Sequence, residues 1–565
     1  VKKLPIDALK RLQGTVAAAE DEFSYWRPHF QEIAKYIMPR RYVWLAEQSP
    51  LKGNLQSKGT RASKQRNNRI LDPTGTTALR DMSAGLLNGI TSPARPWLRL
   101  RVSGFEYEEQ EREVRAYMDE CARRMQIVLA ESNFYNAMAV LYLDLGCFGT
   151  ASMLVYEDFE EVVRFYNSPM GEYRLAQDHR RMVDTFTRTF VMTLRQLVQM
   201  FGEENVDPKH KPKIKEGGQA MAQPVVVCHL IEPNTDNGGP EYLKGGFDYR
   251  EFYWEKDCQS GQLLAHNGFY EKPGAWPRWE VTANDIYGTS PAMDALPDII
   301  QLQQETLRKG QSLDYLVRPP VALEGFMANR PTSLLPGGKT AVPSGASFGA
   351  KPIYTVQPPL DAMTLDIRDI QMRIQKLFYN DLFRMISNLD TVRTATEIDA
   401  RKEEKLVLLG AVLERFENEA LDPVIRRVFR IMQRKQLFPE PPEGLDEAQI
   451  EVEYVSILTE AQKAVGTATT ERFLQVYGNT LAIAPELKAT VNMDEIMRDY
   501  GDRLSVPAQY FYTREEAAAA RQQDNQNAEA REAALVGNEL TQAAKNLSET
   551  DVGGGANAMQ RLLGG

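Results

Sequence analysis

Few residues of this chain have types and spacings that suggest chemistry, and each such set fails on a physical ground. The histidines His29, His179, His210, His229 and His266 stand apart. None forms the H-E-x-x-H pattern that puts two imidazoles on one helix face for a metal. Cys121, Cys147, Cys228 and Cys258 form no C-x-x-C pair, so neither a structural zinc nor a disulfide framework is predicted, and a reducing, intracellular setting is expected. Gly345-Ala346-Ser347-Phe348-Gly349 matches G-x-S-x-G, whose serine acts as a nucleophile only between a strand and a helix. Pro343 precedes this pentapeptide and Lys351-Pro352 follows it, which blocks a helix start. Pro336-Gly337-Gly338-Lys339-Thr340 resembles the end of a phosphate-binding loop, but Ser333 stands where the first glycine belongs, and Leu334-Leu335 is too short for the strand before it. No catalytic residue, cofactor or metal is predicted. A hydrolase using Ser347 is the enzyme alternative, and Ser347→Ala would have to abolish its activity.

One other stretch could contact an anion. From Gln48 to Leu71 the chain carries Lys52, Lys58, Arg61, Lys64, Arg66 and Arg69 with no acidic residue and little to bury. This reads as a loop, either simply solvated or a basic arm that touches phosphate. The polar, aperiodic run MISNLDTVR, at 385–393, reads as a short loop between helices. Whole-chain composition excludes a protein that grips nucleic acid over its entire surface, because 67 basic residues against 77 acidic ones leave a net charge of -10. With 43% apolar and 25% charged residues, the chain is ordinary for a soluble globular protein. At roughly 150 residues per domain, its length suggests about four domain-equivalents.

The elements that must position these residues follow from periodicity. Asp7–Tyr36 has helical spacing, with Leu9, Leu12, Val16, Phe23, Phe30 and Ile33 on one face, and 107–130 reads as a charged amphipathic helix. FYNAMAVLYLDLGCFGTASMLVY (134–156) is long enough to suggest a membrane span, but Asp144 near its middle would cost about 2.5–3.5 kcal/mol to insert. Gly146 and Gly149 break the run further, so a buried helix over 133–145 turning into a strand over 150–157 is predicted. VKKLPIDALKRLQ lacks the apolar core of a signal peptide, and none is expected. Strands are predicted at Val162–Tyr166, Thr185–Met192, Val225–Leu230 and Phe247–Trp254.

The second half is different. Ser290-Pro291 starts a helix, Pro297 is expected to restart it, and it stops before Arg318-Pro319-Pro320. A Pro- and Gly-rich excursion fills 319–360, and a second helix follows from Asp361 to Phe383, with Met363, Ile367, Ile370, Ile374 and Phe378 on one stripe. After the short loop, Thr394-Ala395-Thr396-Glu397 has the capping-box pattern and opens a helix of nearly forty residues, which Asp422-Pro423 should kink or divide. Beyond Tyr512 no aromatic residue occurs. TREEAAAARQQDNQNAEAREAALVGNELTQAAKNLS, at 513–548, has high helix propensity and little to bury. The fold class is α+β, predominantly α.

Four blocks, in order, carry a resemblance: ALRDMSAGLLNGITSPARPWLRLRVS (78–103), ESNFYNAMAVLYLDLGCFGTASMLVYED (131–158), DIYGTSPAMDALPDIIQLQQETLRKGQSLDYLVRPPVALEG (285–325) and RTATEIDARKEEKLVLLGAVLERFENEALDPVIRRVFRIMQR (393–434). Together they resemble the portal, or head-to-tail connecting, proteins of short-tailed, T7-like bacteriophages. The resemblance spans about 20–435 and weakens after Pro442.

The resemblance implies a structural protein and not an enzyme, built as a ring of usually twelve subunits around a DNA channel at one capsid vertex. By analogy, 1–290 is an α+β wing, 291–317 and 361–385 are paired stem helices, and 318–360 is the clip between them. Residues 386–395 are then the tunnel loop, 396–435 the long wing helix, 436–512 a helical crown, and 513–565 a C-terminal helix, able to join a barrel, with a flexible tail. Arg393, Asn388, Ser387, Thr391 and Arg384 are the residues this assignment places at the DNA channel. The implied partners are other copies of the chain, double-stranded DNA without sequence preference, the terminase motor, major capsid and scaffolding proteins, and tail adaptor proteins, with no membrane. The implied location is the virion, after assembly in the host cytoplasm. A tail adaptor or an internal scaffold is the structural alternative. A conduit must let DNA slide, so an acidic protein with a few basic residues at its constriction suits weak, sequence-blind phosphate contact.

Overall fold

A computed structural model describes residues 4–45, 70–102, 112–234, 246–317 apart from 257, 259 and 260, 321–322, 351–352, 359–387, 410–442, 450–454, 473–480 and scattered positions from 491 to 546. The chain forms two compact units, Val1–Val465 and Gly466–Gly565, fewer than its length suggested.

The first unit opens with α1 (Ile6–Tyr36), which buries Leu9, Leu12, Phe23, Phe30 and Ile33 at the spacing its sequence prescribes. Then come α2 (Thr74–Ile90), β1 (Leu98–Val102), α3 (Arg112–Glu131) and α4 (Phe134–Phe148). Helix α4 is buried nearly all round, Asp144 included, where Arg41 Nη2 sits 2.9 Å from its carboxylate. Burial raises the Asp144 carboxyl to about 6, with Arg41 opposing the shift. The expected span is thus a core helix, and no described helix is long and apolar enough to cross a membrane. Gly149 ends α4 at φ +69°, where any Cβ would collide with the Gly288 carbonyl.

Strands β2 (Met153–Glu157), β3 (Val163–Asn167), β4 (Tyr173–Gln177), β5 (Val183–Thr193), β6 (Pro224–Pro233), β7 (Tyr249–Glu255), β8 (Ala265–Phe269) and β9 (Gly274–Ala275) make two sheets. One runs β3-β2-β9 and the other β4-β5-β6-β7-β8, with antiparallel neighbours throughout. Between β5 and β6, helix α5 (Leu194–Phe201) starts with a capping box formed by Thr193 and Gln196.

Helices α6 (Pro291–Val317), α7 (Leu360–Leu377) and α8 (Asn380–Ser387) follow, with the strand pair β10 (Val321–Ala322) and β11 (Lys351–Pro352) between α6 and α7. Helix α6 runs unbroken through Pro297, against expectation. Ala292, Ala295, Leu296, Ile299 and Leu302 are buried on both sides of it, and that packing overrides a penalty of about 3 kcal/mol. The second helix of the pair, expected to continue to Phe383, instead breaks at Tyr379, which takes φ +56°. No glycine marks this left-handed turn. It is held because Phe378 is buried before it and Leu382 and Phe383 after it. The predicted loop at 386 therefore begins inside helix α8.

Residues 410–416 are helical and pass through a π turn at Glu417–Leu421 into α9 (Asp422–Arg434). Pro423 offers no N–H to Glu419, and the turn before it widens without ending the helix. Strand β12 (Ile450–Tyr454) then pairs antiparallel with β1, Leu98 opposite Tyr454 and Val102 opposite Ile450. The segment 436–512, expected to be helical, thus contains a strand that returns to the first sheet region. In the second unit, 473–480 and 535–543 are helical, and Leu535, Val536 and Leu540 are exposed.

Candidate functional site

The helical pair and the turn after it are the elements on which the sequence reading depends. Ser290 begins α6 by accepting the Met293 N–H at 3.2 Å, while its hydroxyl donates to the Cys147 carbonyl at 2.9 Å. The start of the pair is thereby tied to the end of α4, and the Thr150 hydroxyl adds a bond from the Gly288 N–H at 2.8 Å. Two of the blocks quoted above, 131–158 and 285–325, meet at this joint.

Helices α6 and α7 pack against each other and run in opposite directions. Asp298, early in α6, is 3.0 Å from Arg373, late in α7. Ile367, Ile370 and Ile374 face the core with Ile299 and Leu302. Their polar link is Asp72. One of its carboxylate oxygens accepts the Thr74 N–H at 2.8 Å, and the other accepts Gln371 Nε2 at 2.7 Å. Gln303, buried on α6, accepts the Leu71 and Asp72 N–H groups at 2.7 and 3.0 Å and donates to the Asp72 carbonyl at 2.9 Å. Periodicity gave no hint of this lock. Its one signal is a glutamine on the buried stripe of an otherwise apolar helix face.

Beyond Gln303 the character of α6 changes. Leu307, Leu313, Tyr315 and Leu316 are exposed, and Val317 is 72% exposed. On α7, Leu365 and Met372 are exposed as well. The antiparallel pair β10–β11, with Val321 opposite Pro352, closes the base of the excursion between the helices. At the other end, α8 lies on α2 so closely that a Cβ on Gly85 would run into the Phe383 ring.

Of the residues assigned to the channel, Arg384 and Ser387 lie on α8, whereas Asn388, Thr391 and Arg393 fall outside the described residues. Lys52, Lys58, Arg61, Lys64, Arg66 and Arg69 do too, as do Ser347, Lys339 and the capping box at Thr394. The structure does hold the described residues that flank the basic segment in sequence. Leu45 is held by Gln31 Nε2 at 2.7 Å, and Leu71 and Asp72 are held by the helical pair. Leu71 and Asp72, which follow the basic residues in sequence, thus sit against α6 and α7.

The π turn has a function in the fold that the sequence did not suggest. Glu419 accepts the Arg278 N–H at 2.9 Å and its Nη2 at 2.6 Å, with both side chains buried. This charge-assisted pair fixes the long helix to the sheet region. No group of three His, Cys, Asp or Glu among the described residues is arranged to hold a metal ion.

Among the described residues are three clusters of buried apolar side chains, a pair of antiparallel helices with exposed apolar residues along its far half, and a short strand pair between the two helices. The family model for "Bacteriophage head to tail connecting protein" matches residues 9–512, and the chain belongs to this family. It is 36% identical over 524 residues to the "Probable portal protein" of Bordetella phage BPP-1, covering 92% of this chain and 92% of that one. It is 35% identical over 545 residues to the "Portal protein" of Salmonella phage epsilon15, covering 96% and 95%. Among solved structures, the neck of an empty GTA particle computed with C6 symmetry aligns with 82% of this chain and 95% of that chain, at a TM-score of 0.32 and 12% identity, a likeness too weak to carry weight.

Proposed function

We propose that this chain is the portal subunit of a bacteriophage head, a structural component of the virion at one capsid vertex. The observation that carries this reading is similarity over more than nine-tenths of the chain to two proteins named as portals. The exposed apolar flanks of α6 and α7 support assembly, because copies of the chain around a ring would cover them. In this reading the ring has twelve subunits and surrounds a duplex DNA channel. Residues 318–360 form a clip that receives the terminase motor and later the tail adaptor proteins. Residues 386–395 form the constriction, where Arg393 makes weak, salt-sensitive phosphate contacts. The protein has no catalytic turnover of its own.

The experiment is a shortening of 318–360 to a tight turn in particles assembled from the altered chain. Rings should form and tails should fail to join. Unchanged tail joining would overturn the clip assignment.

A further inference from the structure

The hairpin that joins β2 to β3 carries Phe159 at its tip, and this ring is fully exposed, more so than any other large apolar side chain among the described residues. The tip is braced all the same. Asp158 Oδ1 accepts the Glu160 and Glu161 N–H groups at 2.7 and 2.9 Å, and the Asp158 N–H donates to the Val162 carbonyl at 2.9 Å. Lys435, at the end of α9, donates from Nζ to the Asp158 carbonyl at 2.6 Å and to the Val162 carbonyl at 3.3 Å. Val162 is held at φ +68°, a left-handed conformation that a β-branched side chain resists. Such strain persists only where the surrounding structure imposes it, and it concentrates at functional places.

A cleft of about 420 Å3 lies elsewhere on the same unit, between α1 and one face of the five-stranded sheet. Thr189 pairs with Cys228 and Cys228 with Trp254 across β5, β6 and β7, so these side chains share that face, and all three line the cleft. The sequence of α1 explains the gap. Leu9 and Leu12 belong with Cys228 and Trp254 to one buried cluster, and Phe23 and Phe30 belong to another. Between them, Gly14-Thr15-Val16-Ala17-Ala18-Ala19 offers no side chain larger than valine. Val16 and Ala17, with Trp44 and Trp254, make the walls mainly apolar. Glu20 in the lining is held by Arg174 at 2.7 Å and by Arg27. Lys256, also in the lining, is exposed and has no ion pair among the described residues. Neither has Glu160, the exposed neighbour of Phe159.

A cyclic ring of more than two copies joins each copy to the next through two different surfaces. A projecting aromatic ring and an apolar cleft on separate parts of one chain are such a pair. Aromatic side chains seated in desolvated pockets anchor interfaces, and unpaired charges of opposite sign beside the knob and in the socket favour one orientation. We propose, on the ring reading given above, that Phe159 of one copy inserts into the cleft between α1 and the sheet of the next copy, with Glu160 set against Lys256.

The test measures ring assembly of the purified full-length chain by native mass spectrometry and light scattering, beside its unfolding midpoint. Phe159→Ala removes only exposed surface, and Ala17→Phe fills the cleft from an exposed position. Each should leave the midpoint unchanged and raise the concentration needed for half-assembly at least about tenfold. Glu160→Lys and Lys256→Glu should each raise it severalfold, and the two together should restore it, because the charges are then exchanged. A photoreactive benzophenone placed at Phe159 should cross-link to residues 13–20 or 254–256 of a differently isotope-labelled copy. Parent-like assembly in Phe159→Ala or Ala17→Phe, failure of the double charge exchange to restore assembly, or cross-links that map elsewhere would each overturn the proposal and leave the ring reading standing. A parent chain that forms no ring would overturn both.

Discussion

Helices α4 and α6 are both rich in large apolar residues, yet the chain treats them differently. In α4, Phe134, Met138, Leu141, Tyr142, Leu145 and Phe148 are all buried by α2, α6 and the sheets of the same unit. In α6 the first half does the same with Ala295, Leu296, Ile299 and Leu302, while Leu307, Leu313, Leu316 and Val317 in the second half stay exposed. Full burial of such a side chain is worth roughly 1.5–3 kcal/mol. A chain that forgoes this at several positions in one helix, having used it throughout another, has an incomplete surface there. The body is finished by one chain, and on the function proposed above the far half of the helical pair is the part that neighbouring copies would cover.

Substitutions should therefore separate by region. The largest effect is expected inside the body, at the buried pair between the π turn and the sheet region. Glu419→Ala strands the Arg278 guanidinium and should cost about 3–5 kcal/mol, read as a large fall in melting temperature. Glu419→Gln, which keeps an acceptor, should recover part of that loss.

The next effect is one of pH. Burial lowers His229 to about 4 from its ordinary 6.5, with Arg188 adding to the shift and Glu251 opposing it. The unfolded chain then takes up the proton first, so this group's stabilisation is complete above about 6.5 and is lost as pH falls toward 4. Its full size is about 3 kcal/mol. Urea denaturation of His229→Gln should show a shallower loss of stability over that window than the parent chain. An equal slope in both would remove the histidine from the account.

The smallest effect on folding is expected on the exposed flank. Leu316→Ser with Val317→Ser should leave the unfolding midpoint of the isolated chain within about 0.5 kcal/mol of the parent, while sharply reducing assembly in light scattering. A large loss of stability with assembly unchanged would invert the comparison. Arg393→Ala, or deletion of 388–392, should change neither folding nor assembly and should lower the packaged DNA content of particles.

The legibility of the fold follows the same division. Periodicity located α1, the α4–β2 turn and strands β3, β5, β6 and β7 within a few residues, because those segments bury one face against their own chain, but it missed β4 at Tyr173–Gln177. It did not find the break at Tyr379, which no glycine marks and which packing alone imposes. The resemblance, not periodicity, implied a helical crown over the region of β12, although Ile450, Val452 and Tyr454 alternate with Glu451 and Glu453 as a strand should. The register with β1 sets Arg99 opposite Glu453 and Arg101 opposite Glu451, a pairing of positions visible only once the two strands are known to meet. The locks at Gln303–Asp72 and Arg278–Glu419 were unreadable for the same reason, since each joins residues far apart in sequence. Family resemblance reached the order of the elements, whereas the contacts between them required the structure.

The central claim is that the exposed half of the helical pair is covered by other copies of this chain in a closed ring. Native mass spectrometry of the purified full-length chain at micromolar concentration tests it most directly. A single dominant species at twelve times the 64.0 kDa subunit mass is the predicted result. A stable monomer, with no ring species at any concentration reached, would contradict it.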